Sequence, residues 1–479
     1  MKKVFFVFAV LTIATLTFPL LPSELFASES LDAYLETPLK PVSDKTARVP
    51  VDWLKRGILY QINTRAFTPE GTLKAAEEKL PHIASLGVTI VYLCPVFVSD
   101  DDMDRKYWSA RQKGSLMNNP KNPYRMKDYF HVDSEYGTDD DLKSFIKTAH
   151  SLNLKVMLDL VFFHCGPTAV FLEKHPEFAQ RDADGNFVTG EWAFPRLNFK
   201  SQELREYLYS NMEYLLTDFD ADGFRMDVGD LVPIDFWIEG RKRMEKIKPN
   251  VGTICEGMRG DDLLFAFDEL YGFEQQFQYS KVFDKGQSVA LLRKAKEKMA
   301  RLPYPQGAQF MHCVENHDYA NGHWVKNAPN NWYPRAEIRW GEKAMDAALV
   351  YIYTLDGTPM IYCGQEIADA RRHSIFGKLS GSFIHWKEDA GTESAQKRLE
   401  LVRKLAKIRC ENRQFTDGKL IWLDNTTPNE VLSYVRSVDN ARSLVLINFR
   451  DKNLETVITE EDGSKKTFNL APFEWRILP

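Results

Sequence analysis

Long apolar runs are scarce in this chain. Beyond the N-terminus no stretch approaches the ~18 consecutive apolar residues that a membrane-spanning helix needs, so no membrane span is expected in the mature protein. Charge of one sign is scarce too. Against 62 Lys and Arg stand 67 Asp and Glu, a formal net charge of -5, and no block of like charges builds a local basic field. That excludes nucleic acid as a partner, since phosphate binding draws on clustered cations, and favours neutral or weakly charged substrates. There are only six cysteines in 479 residues, and no CxxC or Cys/His spacing of the zinc type. Cys94, Cys165, Cys255, Cys313 and Cys363 fall in or just after strand-like runs, so they read as small buried hydrophobes with free thiols. Neither an internal repeat nor a low-complexity linker is present.

The N-terminus is the exception. Met1-Lys2-Lys3 precedes the apolar run Val4 to Leu21, the charged start and apolar middle of an export signal. Cleavage is expected near Ala27, or at Ser28 and Ser30, with an uncleaved anchor as the alternative. A secreted or periplasmic protein is therefore expected. The length exceeds what one core sustains, which predicts a large domain and at least one smaller one.

Strand-like runs recur at Gly57 to Phe67, Val88 to Phe97, Leu154 to His164, Ala221 to Asp227, Val251 to Glu256, Ala308 to Asp318 and Pro359 to Cys363, with a weak sixth strand around Glu269 to Gln278. Between them lie amphipathic segments, Thr72 to Leu86, Asp139 to Leu152, Gln202 to Phe219, Ile234 to Ile247 and Lys343 to Leu355, with apolar residues at spacings of three and four. Strict alternation of strand and helix predicts a parallel sheet with helical crossovers. The expected class is α/β: a (β/α)8 TIM barrel with a short inserted domain after strand 3 and a C-terminal antiparallel β domain. The expected boundaries are a signal peptide at 1–27, an N-terminal extension at 28–50, the barrel at 51–410 with its insertion at 165–199, and a β-sandwich at 411–479. Connections 99–128 and 165–199 leave the carboxyl end of the sheet and are long enough to be functional. Within the second, Arg181 to Asn186 reads as a hairpin turn, because a calcium loop would carry Glu at its twelfth position. Trp108, Tyr107 and Trp192 are candidates for stacking on substrate.

Asp227, Glu256 and Asp318 each end an apolar run, at separations of 29 and 62 residues that approximate one and two strand-plus-helix units. Parallel barrel strands carry their chemistry at their carboxyl ends, and two carboxylates facing each other there point to glycosidic bond cleavage. Arg225 and Asp227, two apart on a strand, share a face, and the guanidinium is expected to lower the Asp227 pKa and hold it ionised. Glu256, after Val251-Gly252-Thr253-Ile254-Cys255, is expected to be desolvated with a raised pKa, as a proton donor requires. His317 is read as binding substrate hydroxyls while Asp318 stabilises positive charge on the ring. Asp159 is assigned a structural role, and His164 a substrate contact.

Asp159-Leu160-Val161-Phe162-Phe163-His164, Gly223-Phe224-Arg225-Met226-Asp227, Ile254-Cys255-Glu256 and Asn316-His317-Asp318 resemble, in order and spacing, the four signature regions of the α-amylase family, glycoside hydrolase family 13. The likeness runs from Gly57 to Glu366. It implies Asp227 as nucleophile, Glu256 as acid/base, Asp318 as transition-state stabiliser, and Arg225, His164 and His317 as their support. Tyr124 resembles the tyrosine that stacks under the sugar, and Pro195-Arg196-Leu197-Asn198 an additional family region near the end of the insertion.

Three departures stand out. Phe163 replaces the usual Asn, Asn122 replaces a sugar-binding His, and Val228-Gly229-Asp230-Leu231 lacks the Lys-His pair beside the leaving group. The resemblance implies a calcium site at that Asn and at a carbonyl by that His; with both positions changed, no structural calcium is predicted, and no cofactor. The implied activity is retaining hydrolysis of α-glucosidic bonds in starch-type α-glucans or maltooligosaccharides. A transglycosylase acting on α-glucans or sucrose and an inactive carbohydrate-binding protein are the alternatives.

Overall fold

A computed structural model describes residues 42–115, 117–301, 304–321, 334–377 and 381–479. The expected signal peptide lies outside them. Eight parallel strands close into a barrel in sequence order: β1 Leu59–Ile62, β2 Ile90–Leu93, β3 Lys155–Leu160, β4 Gly223–Met226, β5 Gly252–Cys255, β6 Glu269–Tyr271, β7 Phe310–Cys313 and β8 Thr358–Tyr362. β8 pairs back on β1 with Leu59 opposite Met360. Side chains alternate across each strand. Leu59, Ile90, Met157, Ile254, Met311 and Met360 fill the barrel, while Tyr60, Val91, Leu158 and Phe224 face outward against the helices. Each such fully buried aliphatic or aromatic side chain contributes about 1.5–3 kcal/mol. The floor is tight at Gly252, where a Cβ would stand 2.5 Å from Trp53 Cζ2.

Several elements differ from expectation. The run Gly57 to Phe67 is a strand only over Leu59–Ile62 and ends in the helix Thr64–Phe67. The sixth strand is only Glu269–Tyr271; Gly272 ends it, and Phe273–Tyr279 is a helix. The segment 72–86 is two helices, Leu73–Glu77 and Leu80–Ser85, because Pro81 has no N–H to bond the carbonyl four residues back and its ring clashes there. The helix Ile234–Ile247 matches its predicted bounds, and Asp139–Ser151 starts on a reciprocal cap between Thr138 and Asp141.

Between β3 and the helix Gln202–Thr217, short antiparallel pairings join Ala179 to Leu197, Arg181 to Phe187 and Thr189 to Pro195. Arg181 to Asn186 is a hairpin turn, with Gly185 at φ 82° and the Asp182 N–H donating to the Asn186 carbonyl at 2.9 Å. The C-terminal part forms two antiparallel sheets. One has four strands: β9 Lys419–Trp422, β11 Val431–Val438, β12 Ala441–Asn448 and β15 Trp475–Leu478. The other has three: β10 Asp424–Asn425, β13 Leu454–Thr459 and β14 Lys465–Leu470. All six cysteines are free; five are buried and Cys410 is exposed.

Candidate active site

The ladders of β3, β4 and β5 each continue one step past the strands. The Asp227 N–H donates to the Leu160 carbonyl at 2.9 Å and the Glu256 N–H to the Met226 carbonyl at 3.0 Å. Both acids therefore stand at the carboxyl-end rim of the barrel. In register, Arg225 lies opposite Asp159 on β3 and Ile254 on β5. Its Nη1 meets Asp159 at 2.7 and 2.9 Å and Asp227 Oδ1 at 2.9 Å, and its Nη2 meets Glu256 Oε2 at 2.5 Å. One buried cation thus gathers three carboxylates. Tyr271 accepts from Arg225 Nε at 3.2 Å.

Asp159 also accepts from the hydroxyls of Tyr92, at 2.6 Å, and Tyr124, at 3.0 Å. It is a scaffold for the site, in keeping with the structural role expected.

The expected depression of the Asp227 pKa is corrected. Burial pushes Asp227 well above the usual carboxylate range and outweighs the opposing pull of Arg225, with Glu256 adding to the rise. Glu256 is raised as well, first by burial, against Arg225, with Asp318 reinforcing. Burial is the larger cause, and the one guanidinium that opposes it is divided among three carboxyl groups. Protonation therefore belongs to the Asp227–Glu256 pair.

His317 and Asp318 begin the helix His317–Asn321 after β7, and Asn316 Oδ1 accepts from the Asp318 N–H at 3.0 Å. Gln61 sets the His317 tautomer. Its Oε1 accepts from the His317 backbone N–H at 2.9 Å, so its amide nitrogen is the atom that donates to Nδ1, also at 2.9 Å. Nε2 then carries the proton and donates a hydrogen bond to the Tyr124 hydroxyl oxygen at 2.8 Å, while that hydroxyl donates to Asp159. The Tyr124 and His317 rings stack at 5.2 Å. Burial lowers the His317 pKa to about 4, so the ring is neutral near pH 7.

His164 is likewise lowered to about 4 by burial. Its Nε2 donates to the Tyr124 carbonyl at 2.9 Å, leaving Nδ1 without a partner.

These residues surround one cavity, lined also by Ser109, Arg111, Asn122, Trp192, Phe194, Val228, Ile375 and Phe376. All seven predicted site residues except Arg225, buried beneath it, line this space.

Of the stacking candidates, Trp192 lines the cavity, beside His164 at 5.7 Å. Tyr107 instead packs on Phe187 at 5.8 Å. Trp108 is fully buried, its indole N–H donating to the Asp102 carbonyl at 3.1 Å, so it packs the loop and does not face substrate. Gly229 and Asp230, in the stretch lacking a Lys-His pair, brace neighbouring segments: the Gly229 carbonyl accepts from Trp237 at 2.7 Å and Asp230 from the Met258 N–H at 2.8 Å. Phe163 stands under the Arg196 guanidinium at 5.5 Å. Among the described residues no group of three or more His, Cys, Asp or Glu side chains is placed to hold a metal ion.

Sequence reasoning missed Arg111, Gln61 and Tyr92. Arg111 Nη1 donates to Asp318 Oδ1 at 2.6 Å and Nη2 to the Asp318 carbonyl at 2.9 Å. No periodicity or motif marks a residue whose partner lies 207 positions away.

The family profile described as alpha amylase, catalytic domain, matches residues 43–189 and 188–427. Alpha-amylase MalA of Haloarcula japonica is 25% identical over 438 residues; the match covers 84% of this chain and 57% of that protein. The chain thus spans little more than half the length of that relative. The solved structure of a noncanonic maltogenic alpha-amylase, AmyB, from Thermotoga neapolitana superposes with a TM-score of 0.75 at 25% identity, covering 89% of this chain and 98% of that one. An intracellular maltogenic amylase of Bacillus subtilis is 24% identical over 474 residues, covering 88% of this chain and 72% of its own. This last relative, intracellular by its name, corrects the expectation of a secreted or periplasmic protein, and the residues that carried that expectation lie outside the described ones. With the profile matched over most of its length, a closed parallel barrel and an acidic rim at the carboxyl ends of β4 and β5, the chain belongs to the α-amylase family and is an α-amylase-like glycosidase.

Proposed function

We propose that the protein hydrolyses α-glucosidic bonds of starch-type α-glucans or maltooligosaccharides with retention of configuration. Asp227 is the nucleophile, Glu256 the acid and then the base, and Asp318 the stabiliser of the oxocarbenium-like transition state. The observation that carries this reading is the grip of one guanidinium, Arg225, on both Asp227 and Glu256 at the floor of a cavity. Carboxylates held that close support the short separation of a retaining pair, about 5–5.5 Å, over the about 6.5–9.5 Å of an inverting pair.

The raised pair retains a proton for the leaving oxygen while Arg225 compensates the remaining negative charge. Tyr124, stacked on His317, offers a face to the sugar ring. The unpartnered Nδ1 of His164 is an acceptor for a sugar hydroxyl. The maltogenic amylases among the relatives support α-glucans as the substrate class.

Glu256→Gln is expected to lower the rate on maltooligosaccharides by about 10²–10⁴, and the wild-type product to appear in the α configuration by NMR. An unchanged rate would remove Glu256 as the acid, and a β product would remove the retaining route.

A further inference from the structure

The cavity is walled by opposite arcs of the barrel. β4 and β5 bring Asp227, Val228 and Glu256; in a ring ordered β1 to β8 they stand across from β8 and β1. The far arc supplies Ser109, Arg111 and Asn122 from the connection after β2, and Ile375 and Phe376 from the connection after β8. These two connections are bound to each other. Asn119 Nδ2 donates to the Phe376 carbonyl at 3.0 Å, and Arg65 Nη1 donates to the carbonyls of Ile375 and, at 3.5 Å, Lys121. Arg65 is itself fixed by a two-point pair with Glu135, 2.7 Å at each contact.

Arg111 is mounted on that wall. It lies in the short helix Ala110–Gly114, where Gln112 Nε2 donates to the carbonyls of Asn119 at 3.0 Å and Pro120 at 2.9 Å. Its two contacts to Asp318 hold the guanidinium at the cavity edge.

On the proposed reading, the leaving oxygen stands at Glu256, over the β4–β5 arc. The ring that stays on Asp227 must then extend toward the opposite arc. A second ring on that side would meet the Arg111 guanidinium, which lines the cavity and is held on Asp318 by two hydrogen bonds. Resting on the proposed function, we infer that Arg111 closes the glycone side of the site behind one sugar ring, so that the enzyme removes single glucosyl units from non-reducing chain ends.

The test uses maltoheptaoside carrying a reducing-end chromophore, with its non-reducing end either free or blocked as a cyclic acetal, and compares wild type, Arg111→Ala and Arg111→Lys. Wild type is expected to release glucose first from the free chain and to hydrolyse it at least about 10-fold faster than the blocked chain, the scale at which a pocket rejects a misfitting group. Arg111→Ala should bring that ratio toward one and yield maltose and longer first products, whereas Arg111→Lys, which keeps a cation at the wall, should stay nearer wild type. Equal wild-type rates on the two chains overturn the inference without recourse to any variant. So does a folded Arg111→Ala protein, checked by thermal melting, that keeps the wild-type ratio. Hydrolysis of neither chain by wild type would instead remove the parent reading, and this inference with it.

Discussion

The backbone N–H of Val228 donates to Glu256 Oε2 at 3.0 Å from a residue held at φ 40°, ψ 44°. A β-branched residue in the left-handed region is uncommon and costs about 1–3 kcal/mol. The cost is borne at the point where the chain turns from Asp227 toward the connection after β4, and it aims a donor at the second acid. Val228→Gly adopts the same backbone without strain but loses side-chain packing and gains unfolded-state entropy. The opposing effects should leave stability within about 1 kcal/mol of wild type by denaturant titration. A loss well beyond that would show that the left-handed turn carries no strain.

The raised pKa values of Asp227 and Glu256 make a second prediction. An acid whose pKa is higher in the folded than in the unfolded state binds more protons when folded, so its contribution is complete below the unfolded value and is lost as pH rises through the folded one. Both acids are shifted in this direction, chiefly by burial. Asp227→Asn combined with Glu256→Gln should therefore be more stable than wild type at neutral pH and above, with the advantage shrinking as pH falls toward about 4, the unfolded carboxylate range. Urea midpoints collected across this interval check it. An advantage that grows toward acid pH would contradict the raised values.

Gln61 and His317 supply the third. Gln61→Met removes the acceptor for the His317 backbone N–H and the donor to Nδ1. A buried donor left unsatisfied costs about 1–3 kcal/mol. The imidazole should also lose its single tautomer, read as a mixture of Nδ1–H and Nε2–H signals in ¹⁵N-edited spectra. A pure Nε2–H ring in the variant would assign the tautomer to Tyr124 and Asp159 instead.

Much of the barrel was legible because its strands are buried on both faces. Runs such as Val251 to Cys255 are apolar and end on an acid, and a two-residue period puts Arg225 and Asp227 on one side of a strand. The sixth strand was blurred because three residues, Glu269–Tyr271, run into a helix with only Gly272 between them. Trp108 was misread because a tryptophan in a long loop carries no local sign of whether its neighbours cover it.

The sequence alone determined the alternation that closes the barrel, the family and the acids at the strand ends, since period and spacing are properties of neighbours along the chain. Only the tertiary structure decided what each acid feels. Gln61 reaches His317 across 256 positions and Arg111 reaches Asp318 across 207. Whether Asp227 is pushed up by burial or pulled down by Arg225 depends on every group packed around it. Electrostatic interactions and desolvation act through space, and no local pattern of residues records who will be near.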